Sequence, residues 1–268
     1  MKKKVLVLGS NGFIGTHLKA TLETNYLVID YDRATHTLEE IVSNSSIDIV
    51  INCSASKANA SILESFEANV KFQMECIALL TKYQTIPPKW IQVASYFELQ
   101  IPFGRKDNYS LDKKICRSIL HRLEVDGVIE LTTIFLPHIF GTGENPNRII
   151  PYLTSNLQKN LITEISRGEQ FLPILSVEDC CDAITAAILS DQLNCSAEPI
   201  WYDRVKHLAQ IMETSISKGK IEINLKKESV DNGFPRVEFP ARVKDWSPKL
   251  TFESFISQLD SSITKMGK

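Results

Sequence analysis

Long apolar runs are missing from the chain, and their absence narrows the classes of protein to which it can belong. No stretch approaches the roughly 18 apolar residues that a membrane-spanning helix requires. Met1-Lys-Lys-Lys4 resembles the start of a secretory signal, but the apolar run that follows ends at Gly9, well short of the roughly 7 to 15 residues of such a signal. We therefore expect no membrane partner and a cytoplasmic location.

A strong charge imbalance and the usual spacings of metal ligands are also absent. The chain has 30 Lys and Arg against 32 Asp and Glu, so no basic surface for a nucleic acid is expected. None of its six cysteines shows a C-x-x-C spacing, and no two of its five histidines are four residues apart. We expect reduced thiols, no metal site and no nucleic-acid partner.

A glycine-rich segment stands directly behind the apolar run at residues 5–8: Gly9-Ser-Asn-Gly12-Phe-Ile-Gly15. Gly9 permits a tight turn, Gly12 lets phosphates approach the main chain, and Gly15 lets a following helix at about 16–24 pack on the strand. The free N–H groups and the dipole at the start of that helix favour a bound pyrophosphate. The segment predicts a dinucleotide site, although three glycines in seven residues can also form an ordinary loop.

Short β-branched segments alternate with longer segments of helical periodicity in the first half of the chain. The predicted strands are residues 5–8, 27–31, 47–52, 90–94 and 129–135. The predicted helices between them include 61–83 and 109–123, whose apolar residues recur at helical spacing. This alternation is typical of an α/β fold, so we expect a Rossmann-type doubly wound parallel sheet with ligands at the carboxyl ends of its strands.

The pattern changes after about residue 145, where Pro146, Pro151 and Pro173 interrupt the alternation. We expect helices at 149–159, 177–190 and 205–217 with short extended pieces between them. The predicted organisation is a dinucleotide-binding domain at 1–145 and a smaller mixed C-terminal substrate lobe at 146–268, with the chain crossing back to the first domain. Residues 218–245 mix Gly, Pro and both charges, which predicts an irregular surface region.

A second chemical signal is the pair Tyr109 and Lys113, which a separation of four residues places on one face of a helix. A free tyrosine has a pKa of about 10 and is a poor acid or base at neutral pH unless a nearby cation stabilises its phenolate. Lys113 could supply that cation. The same spacing also arises by chance on solvated helices, and Ser95 taken alone reads as a cap at the end of a strand.

The order of these motifs resembles that of the extended short-chain dehydrogenase/reductase family, and within it the nucleotide-sugar epimerases, dehydratases and 4-ketoreductases, including the CDP-abequose and CDP-paratose synthase group. Further resemblances cover nearly the whole chain. The matching segments are Val50-Ile-Asn-Cys-Ser-Ala55, the helix residue Asn69, Leu136-Pro-His-Ile-Phe-Gly-Thr-Gly143 and Pro173-Ile-Leu-Ser-Val-Glu-Asp179. The resemblance implies an enzyme that forms a homodimer through the Tyr109 and Ser61 helices.

The resemblance also implies the roles of individual residues. Tyr109 is the expected proton donor or acceptor, Lys113 supports it and holds the nicotinamide ribose, and Ser95 hydrogen-bonds the reacting carbonyl or hydroxyl. The expected cofactor-binding residues are Gly9, Asn11, Gly12, Phe13, Ile14, Gly15, Asp32, Arg33, Cys53, Ser54, Ala55, Asn69, Lys113 and Pro137. The expected substrate-binding residues are Ser95, Tyr96, His138 and Arg148.

Departures from the family pattern point to one reaction over others. Sugar 4,6-dehydratases usually follow the Ser or Thr with an Asp-Glu pair, whereas Tyr96 and Phe97 stand there in this chain, so a dehydratase is disfavoured. Only 13 residues separate Ser95 from Tyr109, which indicates a trimmed loop over the substrate. Phe135, His138 and Leu172 replace residues that the family commonly uses near the diphosphate, and the expected replacements are Arg148 and Arg242.

The cofactor prediction depends on the end of the second strand. Asp32 can bind the ribose hydroxyls and repel a 2′-phosphate, whereas Arg33 can accept one. We favour NADP(H), with NAD(H) as the alternative. The leading hypothesis is an NAD(P)H-dependent reductase of a nucleotide-linked 4-keto-6-deoxy or 3,6-dideoxy hexose for surface polysaccharide. The alternatives are a 4-epimerase that retains NAD⁺ and a non-catalytic dinucleotide-binding protein.

Overall fold

A computed structural model describes residues 2–32, 34–56, 60–226 and 233–261. Residue contacts divide the chain into two units, 1–136 with 180–197 and 238–247, and 137–179 with 198–237 and 248–268. The described residues form these strands: β1 Lys4–Leu8, β2 Leu27–Asp30, β3 Ile49–Asn52, β4 Lys89–Ser95, β5 Glu130–Leu136, β6 His138–Phe140, β7 Ile162–Ile165, β8 Phe171–Ser176, β9 Asn194–Ser196, β10 Trp201–Arg204 and β11 Lys220–Ile223.

The helices follow the same alternation. They are α1 Phe13–Leu22, α2 Leu38–Asn44, α3 Ile62–Phe66, α4 Phe72–Tyr83, α5 Tyr96–Leu99, α6 Asn108–Val125, α7 Ile149–Gln158, α8 Val177–Ala187, α9 Val205–Ile216 and α10 Phe252–Ser261. A π-helical turn, Glu67–Lys71, joins α3 to α4, so the helix predicted at 61–83 has three parts. Among the described residues no helix has both the length and the apolar character needed to cross a membrane.

The central sheet of the first unit has the order β2-β1-β3-β4-β5-β9, and all its strands are parallel. Its inner strands are buried and largely apolar, and the side chains of Val5 to Leu8 in β1 have no exposed surface, whereas the edge strand β2 is partly exposed. Helices cover the sheet, with Leu80 of α4 and Leu120 of α6 in its core. The predicted Rossmann-type parallel sheet is confirmed.

The second unit contains the smaller mixed sheet. Strand β8 lies between β6, which is parallel to it, and β10, which is antiparallel, while β7 and β11 form a separate parallel pair. Its core contains Leu153 of α7, Met212 of α9 and Phe255 of α10. The chain first leaves the first unit after Leu136, earlier than the boundary that we expected after residue 145.

The expectation of an irregular surface region at 218–245 is wrong in two places. Strand β11 pairs in register with β7, and Val243 is buried in the segment 238–247 that belongs to the first unit. That segment is fixed by backbone bonds, since Ser196 N–H donates to Ala241 O at 3.0 Å and Val243 N–H donates to Ser196 O at 3.0 Å. The short apolar alternation in β11 was hidden by the Gly, Pro and charged residues around it.

Candidate active site

The glycine turn lies at the carboxyl end of β1 and is closed by its own backbone. Gly12 N–H donates to Gly9 O at 3.0 Å, and Gly9 has a φ of +82°. A Cβ atom at Gly9 would lie 2.8 Å from Ser54 N, and one at Gly15 would overlap Gly9 O. The turn therefore needs glycine at both positions, because backbone atoms occupy the space that a side chain would fill.

Helix α1 begins at this turn without a side-chain cap. Gly12 is its N-cap residue and offers no side-chain acceptor to the first N–H groups of the helix. An uncapped helix start presents N–H donors and a positive dipole end to an anion. The geometry fits a dinucleotide pyrophosphate, as the sequence predicts.

A cavity of about 560 Å³ opens at the turn. It is lined by the predicted cofactor residues Gly9, Asn11, Gly12, Phe13, Ile14, Gly15, Asp32, Cys53, Ser54 and Ala55, together with Ser10, Tyr31, Ala68 and Phe72. The rings of Tyr31 and Phe72, which the sequence analysis missed, stack at a centroid distance of 5.8 Å. Asp32 Oδ1 accepts the Ala34 N–H at 2.9 Å, which orients the carboxylate at the end of β2. Arg33 lies outside the described residues.

A network of amide side chains fixes the wall of this cavity behind Ser54. Asn52 Oδ1 accepts bonds from the Ser54 N–H at 3.1 Å and the Ser54 hydroxyl at 2.6 Å. Asn52 Nδ2 in turn donates to Gln92 Oε1 at 2.9 Å, and Gln73 Nε2 donates to Ser54 Oγ at 2.9 Å. The wall is therefore held by side chains from β3, β4 and α4.

Asn69 stabilises the segment that follows β3 and does not itself line the cavity. It is buried in the π-helical turn and does not line the cavity. Its Oδ1 accepts the Ser56 N–H at 3.2 Å, and its Nδ2 donates to Ser56 Oγ at 2.9 Å and to Ser65 Oγ at 3.1 Å. Asn69 thus fixes the segment after β3 rather than lining the cofactor cavity itself.

Tyr109 and Lys113 share one face of α6. Asp107 caps this helix by accepting the Ser110 N–H at 2.9 Å. Lys113 is buried, donates from Nζ to Val93 O at 3.0 Å, and has its Nζ 5.6 Å from the centre of the Tyr109 ring. The sequence prediction of a lysine beside this tyrosine thus agrees with the geometry.

Lys113 also acts on the cavity wall. Burial raises the pKa of the Cys53 thiol to about 12, and the positive charge of Lys113 opposes that rise. Cys53 lines the dinucleotide cavity, so the ammonium group is electrostatically coupled to that wall. Lys113 itself does not line that cavity, although it was predicted to bind the cofactor. An ammonium group beside a phenol suits proton transfer.

Ser95 ends β4 and is the N-cap of the short helix α5. Its Oγ accepts the Phe97 N–H at 3.3 Å, and its own N–H donates to Glu98 Oε1 at 3.0 Å. This pair of bonds is a capping box, so Ser95 has the strand-end capping geometry in addition to any chemical role.

The segment between Ser95 and Tyr109 begins with two packed aromatic rings. Tyr96 is buried, and its ring lies 4.2 Å from that of Phe97. The Arg105 guanidinium lies 3.7 Å from the centre of the Phe97 ring and donates to Gln100 Oε1 at 2.8 Å. The positions that carry Asp and Glu in dehydratases therefore hold two packed aromatic rings.

In the second unit, His138 and Arg148 are brought together by Glu144. Arg148 Nη2 donates to His138 Nδ1 at 2.9 Å, so the remaining ring proton on Nε2 faces Glu144 Oε1 at 3.1 Å. Burial lowers the pKa of His138, and the charge of Arg148 lowers it further, while Glu144 raises it. Glu144, which the sequence analysis missed, also lies 3.3 Å from Arg148 Nε and balances its charge.

Two predicted site residues have not yet been described: Arg242, expected near the diphosphate, and Pro137, expected to bind the cofactor. Arg242 is exposed on the first unit, where its backbone carbonyl accepts a bond from Gln192 Nε2 at 3.1 Å. Pro137 is buried and directly follows β5 in sequence.

The chain is similar to known proteins in sequence and in fold. Residues 5–195 match the model of the NAD dependent epimerase/dehydratase family. The chain is 22% identical over 208 residues to the CDP-abequose synthase of Salmonella typhimurium, covering 68% of this chain and 69% of that protein. Two solved structures share the fold at TM-score 0.78. They are RMD from Pseudomonas aeruginosa complexed with NADPH (12% identity, 97% and 98% of the two chains) and UDP-glucose 4-epimerase of Thermotoga maritima with UDP-glucose (16% identity, 99% and 100%).

Proposed function

Because the chain belongs to the NAD dependent epimerase/dehydratase family, we propose that it reduces a nucleotide-linked 4-keto-6-deoxy or 3,6-dideoxy hexose. The family match also confirms the predicted resemblance to the extended short-chain dehydrogenases/reductases of nucleotide sugars. The proposal depends mainly on the face of α6 that holds Tyr109 and Lys113. It places Tyr109 beside a buried Lys113 that is coupled to the dinucleotide cavity, while packed rings occupy the positions of the dehydratase carboxylates.

The chemistry follows from the groups on this face. The residues that line the cavity at the glycine turn would hold a reduced dinucleotide, which would supply a hydride for C4 of the sugar. The Tyr109 phenol gives its proton to the C4 oxygen, and Lys113 stabilises the phenolate that remains. Ser95 donates a hydrogen bond to the same oxygen, so negative charge is stabilised where it develops.

The nucleotide and the cofactor are narrower parts of the proposal. The CDP-abequose synthase relative supports a CDP-linked sugar. A place in the synthesis of surface polysaccharide is a further part of the proposal. NADP(H) remains our favoured cofactor over NAD(H), and it has a precedent in RMD, which has the same fold and is complexed with NADPH. His138 and Arg148 are the proposed substrate contacts of the second unit, held by Glu144, and Tyr96 contributes through its packing.

A panel of CDP-, dTDP-, GDP- and UDP-linked 4-keto-6-deoxy sugars tests the reaction. We expect NADPH oxidation with at least one of them, and a reduced sugar by NMR. Tyr109→Phe should lose about 100-fold or more in kcat, the usual contribution of a positioned proton donor, while dinucleotide binding is retained. Wild-type protein that oxidises NADPH with none of these sugars, or a Tyr109→Phe variant as fast as wild type, would refute the proposal.

A 4-epimerase is the second candidate, because Ser95, Tyr109 and Lys113 are equally suited to removing and returning a hydride at C4, and a solved 4-epimerase shares the fold. An epimerase purifies with NAD⁺ bound and needs no added cofactor, whereas a reductase consumes NADPH in proportion to product. NADPH binding without turnover of any nucleotide sugar would favour the third candidate, a non-catalytic dinucleotide-binding protein.

A homodimer completes the proposal. Helices α3 and α6 pack together, and their outer surfaces expose Ile62, Leu63, Phe66 and Ile115, with Ile62 74% exposed. An apolar patch of this kind suits a second copy of the chain. We expect light scattering to give a dimer mass for the wild type and a monomer mass for Leu63→Glu. Leu189→Glu, at an exposed leucine outside the patch, is the control.

A further inference from the structure

Glu98 is a buried carboxylate beside Ser95 that the proposed chemistry does not use. Its side chain is 1% exposed. A charge buried this deeply requires hydrogen-bonded partners, and Glu98 has one for each oxygen. Oε1 accepts the Ser95 N–H at 3.0 Å, and Oε2 accepts the Arg117 Nε–H at 3.0 Å.

Arg117 belongs to the same stripe of α6 as the proposed acid. It follows Lys113 by four residues, as Lys113 follows Tyr109, and a separation of four keeps side chains on one helical face. The guanidinium lies 5.2 Å from the centre of the Phe135 ring on β5, which restricts it from the other side. One face of α6 thus holds Tyr109, Lys113 and Arg117.

Two links consequently connect this face to the end of β4. Lys113 bonds the main chain at Val93, and Arg117 bonds Glu98, which bonds the main chain at Ser95. Helix α5 has only four residues, and a helix this short is not stable by itself. The Glu98 side of the capping box and its Arg117 partner therefore hold the turn that carries Ser95.

The same turn leaves the Ser95 hydroxyl able to donate a hydrogen bond to a bound substrate. A serine hydroxyl has one proton to donate and two lone pairs that accept. The Phe97 N–H occupies an acceptor site on Oγ at 3.3 Å. This bond leaves the hydroxyl proton for an outside acceptor, and a sugar C4 carbonyl oxygen is an acceptor of that kind.

We propose that Glu98 and Arg117 are positioning residues, which couple the turn at Ser95 to the Tyr109 face of α6 and so fix the two hydrogen-bond donors relative to each other. The proposal rests on the proposed function, because it assumes that both donors act on one oxygen of the substrate. The predicted consequence is a defect in turnover without a defect in binding.

Four variants separate this role from simple packing. Glu98→Gln keeps an oxygen for the Ser95 N–H but removes the charge, and Arg117→Met keeps the length of the side chain but removes the guanidinium. Arg117→Lys keeps the positive charge. The double variant Glu98→Gln/Arg117→Met tests whether the effects of the two residues on kcat are coupled. Arg122→Met is the matched control, because Arg122 lies on α6 and makes only an exposed ion pair with Asp126 among the described contacts.

Kinetics with the nucleotide-linked 4-keto sugar that the wild type reduces is the first measurement. We expect kcat to fall about 10- to 100-fold in Glu98→Gln and Arg117→Met, since a displacement of about 1 Å costs on that order. KM and the NADPH Kd should change less than about twofold, and Arg117→Lys should recover part of the loss. The double variant should be no worse than the poorer single variant, because the two residues act as one unit.

Hydrogen exchange at the Ser95 amide is the second measurement, and it needs no substrate. We expect this amide to exchange at least about 10-fold faster in Arg117→Met than in wild type and in Arg122→Met, as loss of Arg117 frees Glu98. Unchanged exchange together with wild-type kcat overturns the proposal, as does a lower Tm with unchanged kcat. If the wild type reduces no 4-keto sugar, the proposed function fails, and the exchange result alone then decides whether Arg117 positions Ser95.

Discussion

Substitution of Gly9 by alanine tests the glycine turn most directly. The residue has a φ of +82°, and a Cβ there would lie 2.8 Å from Ser54 N and 2.9 Å from Ser54 Cα. The left-handed conformation costs a residue with a Cβ about 1 to 2 kcal/mol. Overpacking adds about 1 to 3 kcal/mol, because backbone atoms cannot turn away as a flexible side chain can. We therefore expect Gly9→Ala to lower the free energy of unfolding by about 2 to 5 kcal/mol.

Gly127 provides the matched control for this experiment. It also has a positive φ, of +72°, but a Cβ there would meet no atom within 4 Å. Gly127→Ala should therefore lose only the conformational part, about 1 to 2 kcal/mol. Urea denaturation measures both losses, and calorimetric titration with NADPH and NAD⁺ measures binding. We expect binding to weaken at least about tenfold in Gly9→Ala alone, because that turn must admit the pyrophosphate. Equal destabilisation of the two variants, or unchanged binding in Gly9→Ala, would refute the reasoning.

Three further predictions concern single side chains. Burial lowers the pKa of His138 from its usual value of 6.5. As the pH falls below about 6.5, the unfolded chain therefore binds a proton at His138 before the folded protein does, and the free energy of unfolding decreases. In urea melts across this pH range, His138→Asn should lose less stability than the wild type. Cys53, whose thiol pKa is raised to about 12, should react with iodoacetamide at pH 8 about a thousandfold more slowly in the folded protein than in urea, and equal rates by peptide mass spectrometry would contradict the raised pKa. Lys113→Met should lower kcat by about 100-fold or more, whereas Lys114→Met, at the exposed neighbouring position, should not; equal kcat values in the two variants would count against a role for Lys113.

The parts of the fold that the sequence predicted well are those with continuous local signals. Strands β1, β3, β4 and β5 are largely apolar and buried because both faces of a parallel sheet are covered. The glycine turn was visible for a similar reason, since each glycine answers a local steric need. Strand β11 has only four residues among charged neighbours, and its partner β7 lies far away in sequence, so its short alternation was not enough to indicate a strand.

The candidate site divides in the same way. The glycine turn and Asp32 were placed from sequence, and the structure gathers them around one cavity. Asn69 was expected to bind the cofactor, but the π-helical turn that carries it directs its amide to Ser56, and spacing alone does not reveal such a turn. Ser95 and Glu98 have the spacing of a capping box, a signal that was readable. Its continuation to Arg117 was not readable, because that contact depends on how α6 packs.

Strand β9 determines the point in translation at which the central sheet can be completed. It pairs with β5 at the edge of the central sheet, yet it is synthesised almost sixty residues later. A nascent chain that has reached residue 145 carries only five of the six strands of that sheet, and its β5 edge is open for pairing with other chains. The edge closes when residues 194–196 leave the ribosome, and the bridge between Ser196 and Arg242 forms later still. A gene fragment that ends at 145 should therefore yield an aggregation-prone product, and completion of the sheet is expected late in translation.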